Sequence, residues 1–194
     1  MRFARVTLVI FVSLLAGCQG TPPQSTYTMD QVPTELARSV AAADSAITVL
    51  QQRLSRRVIE EMGRGGPAAA IQVCRNEAQA ITAEVAGSRG IDVGRTSHRL
   101  RNRDNAPRDW VRPYVENAEG KKASEVTPLV ADLGARVGLL RPITMGRVCV
   151  ACHGPLEGIA PDVALVLRAA YPGDHAVGFA EGDLRGYFWA EAPK

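Results

Sequence analysis

The first half of the chain carries the apolar spacing of amphipathic helices. From Thr34 onward, apolar residues recur at steps of three and four, which places them on one face of a long helix. This face comprises Leu36, Val40, Ala43, Ile47, Leu50, Leu54, Val58 and Met62. The glycine-rich run that ends in Pro67 predicts a break after Met62, because glycine ends helices and proline suits a first turn. A second helix is expected from about Pro67 to Val85, before Gly87 and Gly90. Its apolar stripe comprises Ile71, Cys74, Ala78, Ile81 and Val85.

After Gly90 the pattern changes to strands and loops. Residues 91–97 and 137–144 are predicted strands, and residues 161–170 have apolar positions at helical spacing. Residues 105–107 predict a turn and a helix start, with Trp110 in the short helix that follows. Residues 176–179 and 184–189 predict a β-hairpin around residues 181–183. Helices first and mostly strands later indicate an α+β fold.

The N-terminal segment differs from the rest of the chain. Arg2 and Arg5 precede an apolar stretch, residues 6–16, and small residues then lead to Cys18. This order predicts a signal peptide over residues 1–17, since the stretch is too short for a stable transmembrane anchor. The sequence Leu-Ala-Gly-Cys that ends at Cys18 resembles the lipobox of bacterial lipoproteins. That resemblance implies acylation of Cys18 and a membrane anchor made of several acyl chains. An ordinary signal peptide with an incidental cysteine is the alternative.

The next residues predict a tether between this anchor and a folded domain. Residues 18–33 are rich in Pro, Thr, Ser and Gln, which favours a flexible, partly extended linker. A single domain is then expected over residues 34–194. Gln19, rather than Asp, follows Cys18. We therefore expect the chain on the periplasmic side of a bacterial cell envelope, with the outer membrane favoured over the inner one.

Composition and charge narrow the possible functions. The 194 residues are 46% hydrophobic and 22% charged, as in an ordinary globular domain with a core. Beyond the N-terminus no apolar run reaches 18 residues, which argues against a protein with several transmembrane helices. The net charge of +3 falls to +1 once residues 1–17, with Arg2 and Arg5, are removed. The mature chain therefore gives no indication of nucleic-acid binding.

One pentapeptide carries the clearest chemistry. Cys149, Cys152 and His153 have the spacing C-x-x-C-H, the attachment sequence of c-type haem. Two thiols three positions apart can form thioether bonds to the two vinyl groups of one haem, and the imidazole that follows can ligate its iron. Export agrees, because c-type haem is attached outside the bacterial cytoplasm. Three alternatives exist for such a motif. A redox-active dithiol is expected within a βαβ unit, which the pattern here does not show, and a structural zinc site needs two more ligands, which are not nearby. A disulfide would not need His153.

The pattern leaves several candidates for the second axial ligand of such a haem. No methionine follows the motif, and Met145 lies only a few residues before it. The other candidates by chemistry are Met29, Met62, His98 and His175. His175 lies in a Pro-Gly-Asp turn, which is typical of a surface residue. Cys74 remains once lipid and haem account for the other three cysteines, and its pattern fits a thiolate ligand and a small buried hydrophobe equally well.

A group of arginines is a candidate site for the haem propionates. Arg95, Arg99 and Arg101 stand at even spacings, so in a strand their side chains share one face. Guanidinium groups suit carboxylates, of which haem carries two. A solvated strand face is the alternative.

Four segments together resemble a known family. They are AIQVCRNEAQAI around Cys74 and residues 94–107, 141–154 and 171–188. In this order they are similar to the bacterial c-type haem-binding, PAS-like sensor domain, long described as a domain of unknown function and found alone or as the periplasmic input domain of signalling receptors. The resemblance implies a PAS-like antiparallel sheet with N-terminal helices, one haem on Cys149 and Cys152, and axial ligation by His153 and Cys74. His98 departs from the family, which usually has an aliphatic residue there.

These observations lead to two hypotheses of function. The first is a redox- or gas-responsive sensor that acts through an unidentified partner protein, because the chain has no output domain. The second is an electron-transfer cytochrome held at the membrane by its lipid. An enzyme is not expected, since two axial ligands leave no open iron position and no distal acid–base set is evident.

Overall fold

The computed structural model of the chain describes residues 25–194. The predicted signal peptide, the predicted lipidation site Cys18 and the first part of the predicted tether lie outside these residues. The helices are α1 Ala37–Gln72, α2 Ala78–Arg89, α3 Arg112–Glu116, α4 Val150–His153 and α5 Pro161–Ala170. The strands are β1 Ser25–Thr28, β2 Asp92–Thr96, β3 Leu129–Asp132, β4 Arg136–Thr144 and β5 Leu184–Pro193.

The helical region confirms the break predicted near Pro67. Gly66 lies inside α1 with φ 72° and ψ −170°, a backbone conformation that glycine tolerates, and Pro67 begins the helical segment that follows. This second segment continues past Gly87 to Arg89, where Gly90 ends it in the left-handed conformation. Between α1 and α2 the backbone forms a π-helical turn, Val73–Glu77, which contains Cys74. The apolar spacing gave no sign of this turn.

The strands form one antiparallel sheet in the order β1-β3-β4-β5-β2. The helices α1 and α2 pack on one face, where Ile47 and Leu50 meet Val137 and Leu139 in a fully buried core. A second cluster with Trp110 and Tyr187 covers other parts of β4 and β5. The α+β fold, with helices packed on an antiparallel sheet, is therefore confirmed.

The predicted tether needs a correction, because part of it belongs to the fold. Ser25–Thr28 is an edge strand paired with β3, from Ser25 opposite Asp132 to Thr28 opposite Leu129. Its residues include two threonines and Tyr27, which suit a half-buried strand, and Tyr27 packs against the core. The fold thus includes Ser25–Thr28, which precede the boundary expected at residue 34.

The predicted C-terminal hairpin is also wrong. Residues 176–179 form no strand, and β5 pairs instead with β4 and β2. The backbone of this segment hydrogen-bonds to the end of α4, with 2.8 Å from Gly178 N to Gly154 O and 3.0 Å from Phe179 N to His153 O. The hairpin was predicted because adjacent strands often pair with each other, but residues 176–179 pair instead with the end of α4, in the C-x-x-C-H motif.

Two smaller differences concern the middle of the chain. Trp110 lies in the turn before α3 rather than within the helix. The short strand β3 was not predicted, although Gly134, at φ 82°, lies in the turn that joins it to β4. In the part of the chain that the structure describes, no helix is long and apolar enough to cross a membrane.

Candidate functional site

A cavity of about 280 Å³ lies where the second helical segment, the ends of strands β2, β4 and β5, and α4 meet. Its volume is close to the lower end of the range for ligand pockets, about 300–1,000 Å³. Its walls are mostly apolar, with a few polar groups among them. Cys74, Cys149, Cys152 and His153 all border it, so the structure brings the predicted axial and attachment residues together.

The C-x-x-C-H motif forms one compact helical wall of this cavity. A 3-10 turn, Arg147–Cys149, leads directly into α4, so Cys149, Cys152 and His153 fall within about one helical turn. Gly154 ends α4 in an extended conformation, and a Cβ there would lie 2.7 Å from the carbonyl oxygen of Val150. Cys149 is exposed, whereas Cys152 is half-buried and its burial raises the pKa of its thiol.

The imidazole of His153 has a defined orientation. Its Nδ1 lies 2.7 Å from the carbonyl oxygen of Ala176, and because a carbonyl only accepts, Nδ1 carries the proton. The unprotonated Nε2 is therefore left as a donor for a metal. Burial, followed by the positive charges of Arg185 and Arg101, holds the pKa of His153 well below its usual value. The sequence predicted a ligand role for His153 but not the carbonyl that orients its ring.

A buried ion pair fixes the acceptor of His153. Asp174 Oδ1 accepts the backbone N–H of Ala176 at 2.8 Å, and Asp174 Oδ2 accepts Nε–H of Arg101 at 3.0 Å. Nη2 of Arg101 also donates to the carbonyl oxygens of Cys152, at 2.6 Å, and of Ala176, at 3.3 Å. The side chains of Arg101 and Asp174 are only 8% and 11% exposed. This network joins the motif to the segment that the sequence had assigned to a hairpin.

Cys74 reaches the cavity from the opposite element, the π-helical turn. Such turns insert one extra residue into a helix and occur often at functional sites. Cys74 is half-buried, and no disulfide involves Cys74, Cys149 or Cys152. Arg95 and Tyr171 lie close to Cys74, and burial, followed by the electrostatic effect of Cys74, raises the pKa of Tyr171 to about 12.

The other candidate axial ligands are placed differently. His98 does not border the cavity: its ring packs on Phe179 at 5.6 Å between centroids, and its Nε2 lies 3.6 Å from Glu119. His175 and Met29 are exposed. Met62 and Met145 border the cavity with Cys74, so its possible distal donors include three sulfur atoms. Among residues 25–194 no cluster of three His, Cys, Asp or Glu forms that would hold a metal ion alone.

The predicted arginine face needs a correction. Strand β2 ends at Thr96, so Arg99 and Arg101 leave the strand and the three side chains share no face. Arg95 and Arg101 border the cavity, whereas Arg99 pairs with Glu119 outside it. Arg185, at the start of β5, is a fourth arginine that sequence reasoning missed. Only the pairing of β5 with β2 shows it, since no local spacing connects residue 185 to residue 95.

The residues present fit a covalently attached haem. The cavity offers two thiols on one helical turn, an imidazole whose unprotonated Nε2 lies 3.5 Å from Nη1 of Arg101, and further sulfur atoms on other elements. This combination of soft and imidazole donors suits iron; of the two attachment thiols, that of Cys149 is exposed and that of Cys152 is half-buried.

Two comparisons with known proteins find similarity to Tll0287. The model of the family described as Tll0287-like matches residues 26–193, which begins within β1. No curated protein matches the chain. The crystal structure of the cyanobacterial heme-protein Tll0287 is similar at a TM-score of 0.54 and 22% identity, and the match covers 84% of this chain and 97% of that one. At this identity the structural likeness shows the fold.

Proposed function

The chain belongs to the Tll0287-like family, and on this premise we propose that it is a c-type haem protein that senses redox state or a small gas and acts through a partner protein. The family match agrees with the resemblance that the four sequence segments indicated. One observation carries the proposal: Cys149, Cys152, His153 and Cys74 border the same cavity. That the similar solved structure is a heme-protein supports the same cofactor here.

Each of these residues has a distinct role in the proposal. The thiols of Cys149 and Cys152 attach one haem, Nε2 of His153 is the proximal donor, and the sulfur of Cys74 is the distal donor. When bound, the haem supplies an iron that exchanges one electron, and its oxidation state sets how strongly a thiolate ligand is held. The chain's own contribution is a firmly oriented imidazole on one side and a thiol on a helical irregularity on the other.

The π-helical turn is the element that could respond. We propose that this turn can also wind as a regular α-helix, a change that would shift Cys74 relative to the cavity. The turn connects α1 and α2, both of which pack on the sheet. Two windings of one segment form the kind of two-state element that a ligand can bias, and the packed helices carry the change to the surface. We assign no catalytic residue.

Location and partner follow from the N-terminus. We propose that Cys18 is acylated and that the chain lies on the periplasmic side of the cell envelope, preferably at the outer membrane. Six residues separate Cys18 from Ser25, the first residue of β1, so the two Cα atoms lie at most about 25 Å apart. The domain would therefore stay near the membrane, where a membrane-bound redox or signalling protein is the expected partner.

An electron carrier is the second candidate, and one observation favours it. Cys149 is exposed and the neighbouring Val148 is 49% exposed, so one edge of the attachment site faces outward. An exposed haem edge would give electrons a short path to a partner. A carrier needs the same axial ligands in both oxidation states, whereas the proposed sensor needs Cys74 to leave in one of them.

The test uses full-length protein matured in the periplasm with a c-type haem assembly system. Haem staining after denaturation tests covalent attachment, and Cys149→Ser/Cys152→Ser is its control. Absorption spectra of the ferric and dithionite-reduced protein then separate the candidates. A thiolate spectrum that is lost on reduction, and absent from Cys74→Ala, supports the sensor. An unchanged ligand set in both states supports the carrier.

A further inference from the structure

Two arginines on the cavity wall have no carboxylate partner. Arg95 makes no side-chain hydrogen bond or ion pair with any residue in 25–194. Arg185 donates from Nη1 to Ser97 Oγ at 2.7 Å and to the carbonyl oxygen of Arg99 at 3.3 Å. Its Nε–H and Nη2–H groups find no acceptor in the same part of the chain. The surface that both side chains keep accessible borders the cavity.

The nearby Arg99 and Arg101 differ, because each already forms an ion pair with a carboxylate. Arg101 forms its buried ion pair with Asp174, and Arg99 pairs with Glu119. Asp174 is the carboxylate whose charge acts on Arg185, but its two oxygens already accept hydrogen bonds from Arg101 and Ala176. The wall therefore has two more guanidinium groups than the carboxylates of the described chain can pair.

The burial of these two unpaired guanidinium groups indicates a ligand. Desolvation lowers the pKa of Arg95 and brings the pKa of Arg185 to about 10, so Arg185 still carries its charge at neutral pH. Buried charges in proteins are normally paired, since an uncompensated buried charge is costly. Arg95 lies within the ladder of β2 with β5, and Arg185 lies on β5 just before that ladder, where Ser97 Oγ and the carbonyl oxygen of Arg99 hold its Nη1 before any ligand arrives. Such a preorganised wall suits a ligand that brings its own negative charge.

We propose that Arg95 and Arg185 are the binding site for the propionate carboxylates of the haem. This inference rests on the proposed function, and it replaces the arginine face expected from the sequence with a pair from two strands. The guanidinium fork matches a carboxylate and can bind it through two N–H groups. The free Nε and Nη2 groups of Arg185 form such a fork. The site would fix the in-plane orientation of the haem, to which the motif contributes only its thiols and His153.

The experiment compares Arg95→Gln and Arg185→Gln with Arg147→Gln in the full-length holoprotein. Arg147 is the matched control: it lies beside the motif but is 90% exposed, and it also loses one positive charge. Resonance Raman spectra report hydrogen bonding to the propionates through their bending bands, and spectroelectrochemistry gives the midpoint potential. We expect both cavity variants to shift the bending band and lower the potential, because an unpaired propionate charge favours the ferric state. Arg147→Gln should leave the band unchanged and move the potential less.

The outcomes separate this inference from the proposed function. If the cavity variants match Arg147→Gln in propionate bending band and midpoint potential, Arg95 and Arg185 do not bind the propionates, even when haem is attached. If the wild-type chain carries no covalent haem, the proposed function fails first. Arg95→Lys and Arg185→Lys keep the charge but lose the fork, so they provide folded variants if the glutamine forms are unstable. We expect them to shift the band while changing the potential less than glutamine does.

Discussion

The two sides of the cavity hold their sulfur and nitrogen donors in different ways. On the motif side, the imidazole of His153 donates to Ala176, which the buried Arg101–Asp174 pair holds in place. On the helical side, Cys74 lies on a π-helical turn, and its thiol makes no hydrogen bond with any residue in 25–194. The imidazole is therefore held by a hydrogen-bond network and the thiol is not, which under the proposed function makes His153 the fixed ligand and Cys74 the one that is released. This asymmetry is what the proposed sensor requires.

Removing His153 or Cys74 should show the largest difference between the two sides of the cavity. His153→Ala removes the oriented ligand, and we expect the low-spin haem spectrum and most of the holoprotein yield to be lost. Cys74→Ala should leave covalent haem and yield nearly unchanged while abolishing the ferric thiolate signature. Absorption spectra and haem staining of both variants measure this. Equal yields and equal spectra for the two would contradict the division into a fixed and a releasable side.

Removing the extra residue of the π-helical turn should have the next largest effect. Deletion of the exposed Arg75 lets residues 73–77 wind as a regular α-helix, which displaces Cys74 from the cavity. We expect the thiolate signature in the ferric electron paramagnetic resonance spectrum to disappear while haem stays attached. Arg75→Ala keeps the turn and is the matched control, so it should retain the wild-type spectrum. A deletion variant with that spectrum intact would show that the turn does not position Cys74.

The ion pair behind His153 offers a test of the fixed side. Asp174→Ala leaves Arg101 buried without its partner, and breaking a buried pair in this way costs about 3–5 kcal/mol of the free energy of unfolding. Asp174→Asn keeps an acceptor for the N–H of Ala176 and should cost less. Denaturant unfolding measures both, with Asp162→Asn on the exposed first turn of α5 as a control. Losses no larger than the control's would mean that the pair does not secure the motif side.

Removing the ion pair between Arg57 and Glu77 on the helical side should have the smallest effect. Arg57 on α1 hydrogen-bonds to Glu77 at the end of the π-helical turn, and this contact lowers the pKa of the Glu77 carboxyl. Because the folded-state pKa lies below the unfolded one, the stabilisation is full above the unfolded value and is lost as the pH falls through the folded value. The difference in unfolding free energy between wild type and Glu77→Gln should therefore shrink on acidification below the ordinary glutamate pKa, about 4.3. A difference that does not change with pH would assign no role to this charge.

The sequence predicted those features that rest on local pattern. Apolar spacing located the helices, and Gly66 with Pro67 located their break, because both signals act within a few residues. The C-x-x-C-H spacing identified the motif for the same reason. Strand β1 was missed since its polar composition suits a tether, and only its pairing with β3 makes it a strand.

What the sequence left out depends on contacts between distant residues. The acceptor of His153 lies 23 residues away at Ala176, in a segment whose pattern favoured a hairpin. Arg185 joins Arg95 through the pairing of β2 with β5, which no spacing in the chain reveals. The π-helical turn at Cys74 differs from an α-helix by one residue, a change to which apolar periodicity is insensitive.

A redox titration of the full-length holoprotein, followed by absorption and electron paramagnetic resonance, tests the central claim most directly. The claim is that one axial ligand is fixed at His153 and the other, Cys74, is released. We predict a low-spin ferric signal of thiolate type that disappears on reduction, with a ferrous spectrum that equals that of Cys74→Ala. A protein that keeps one ligand set through the whole titration would contradict the sensor and favour the electron carrier.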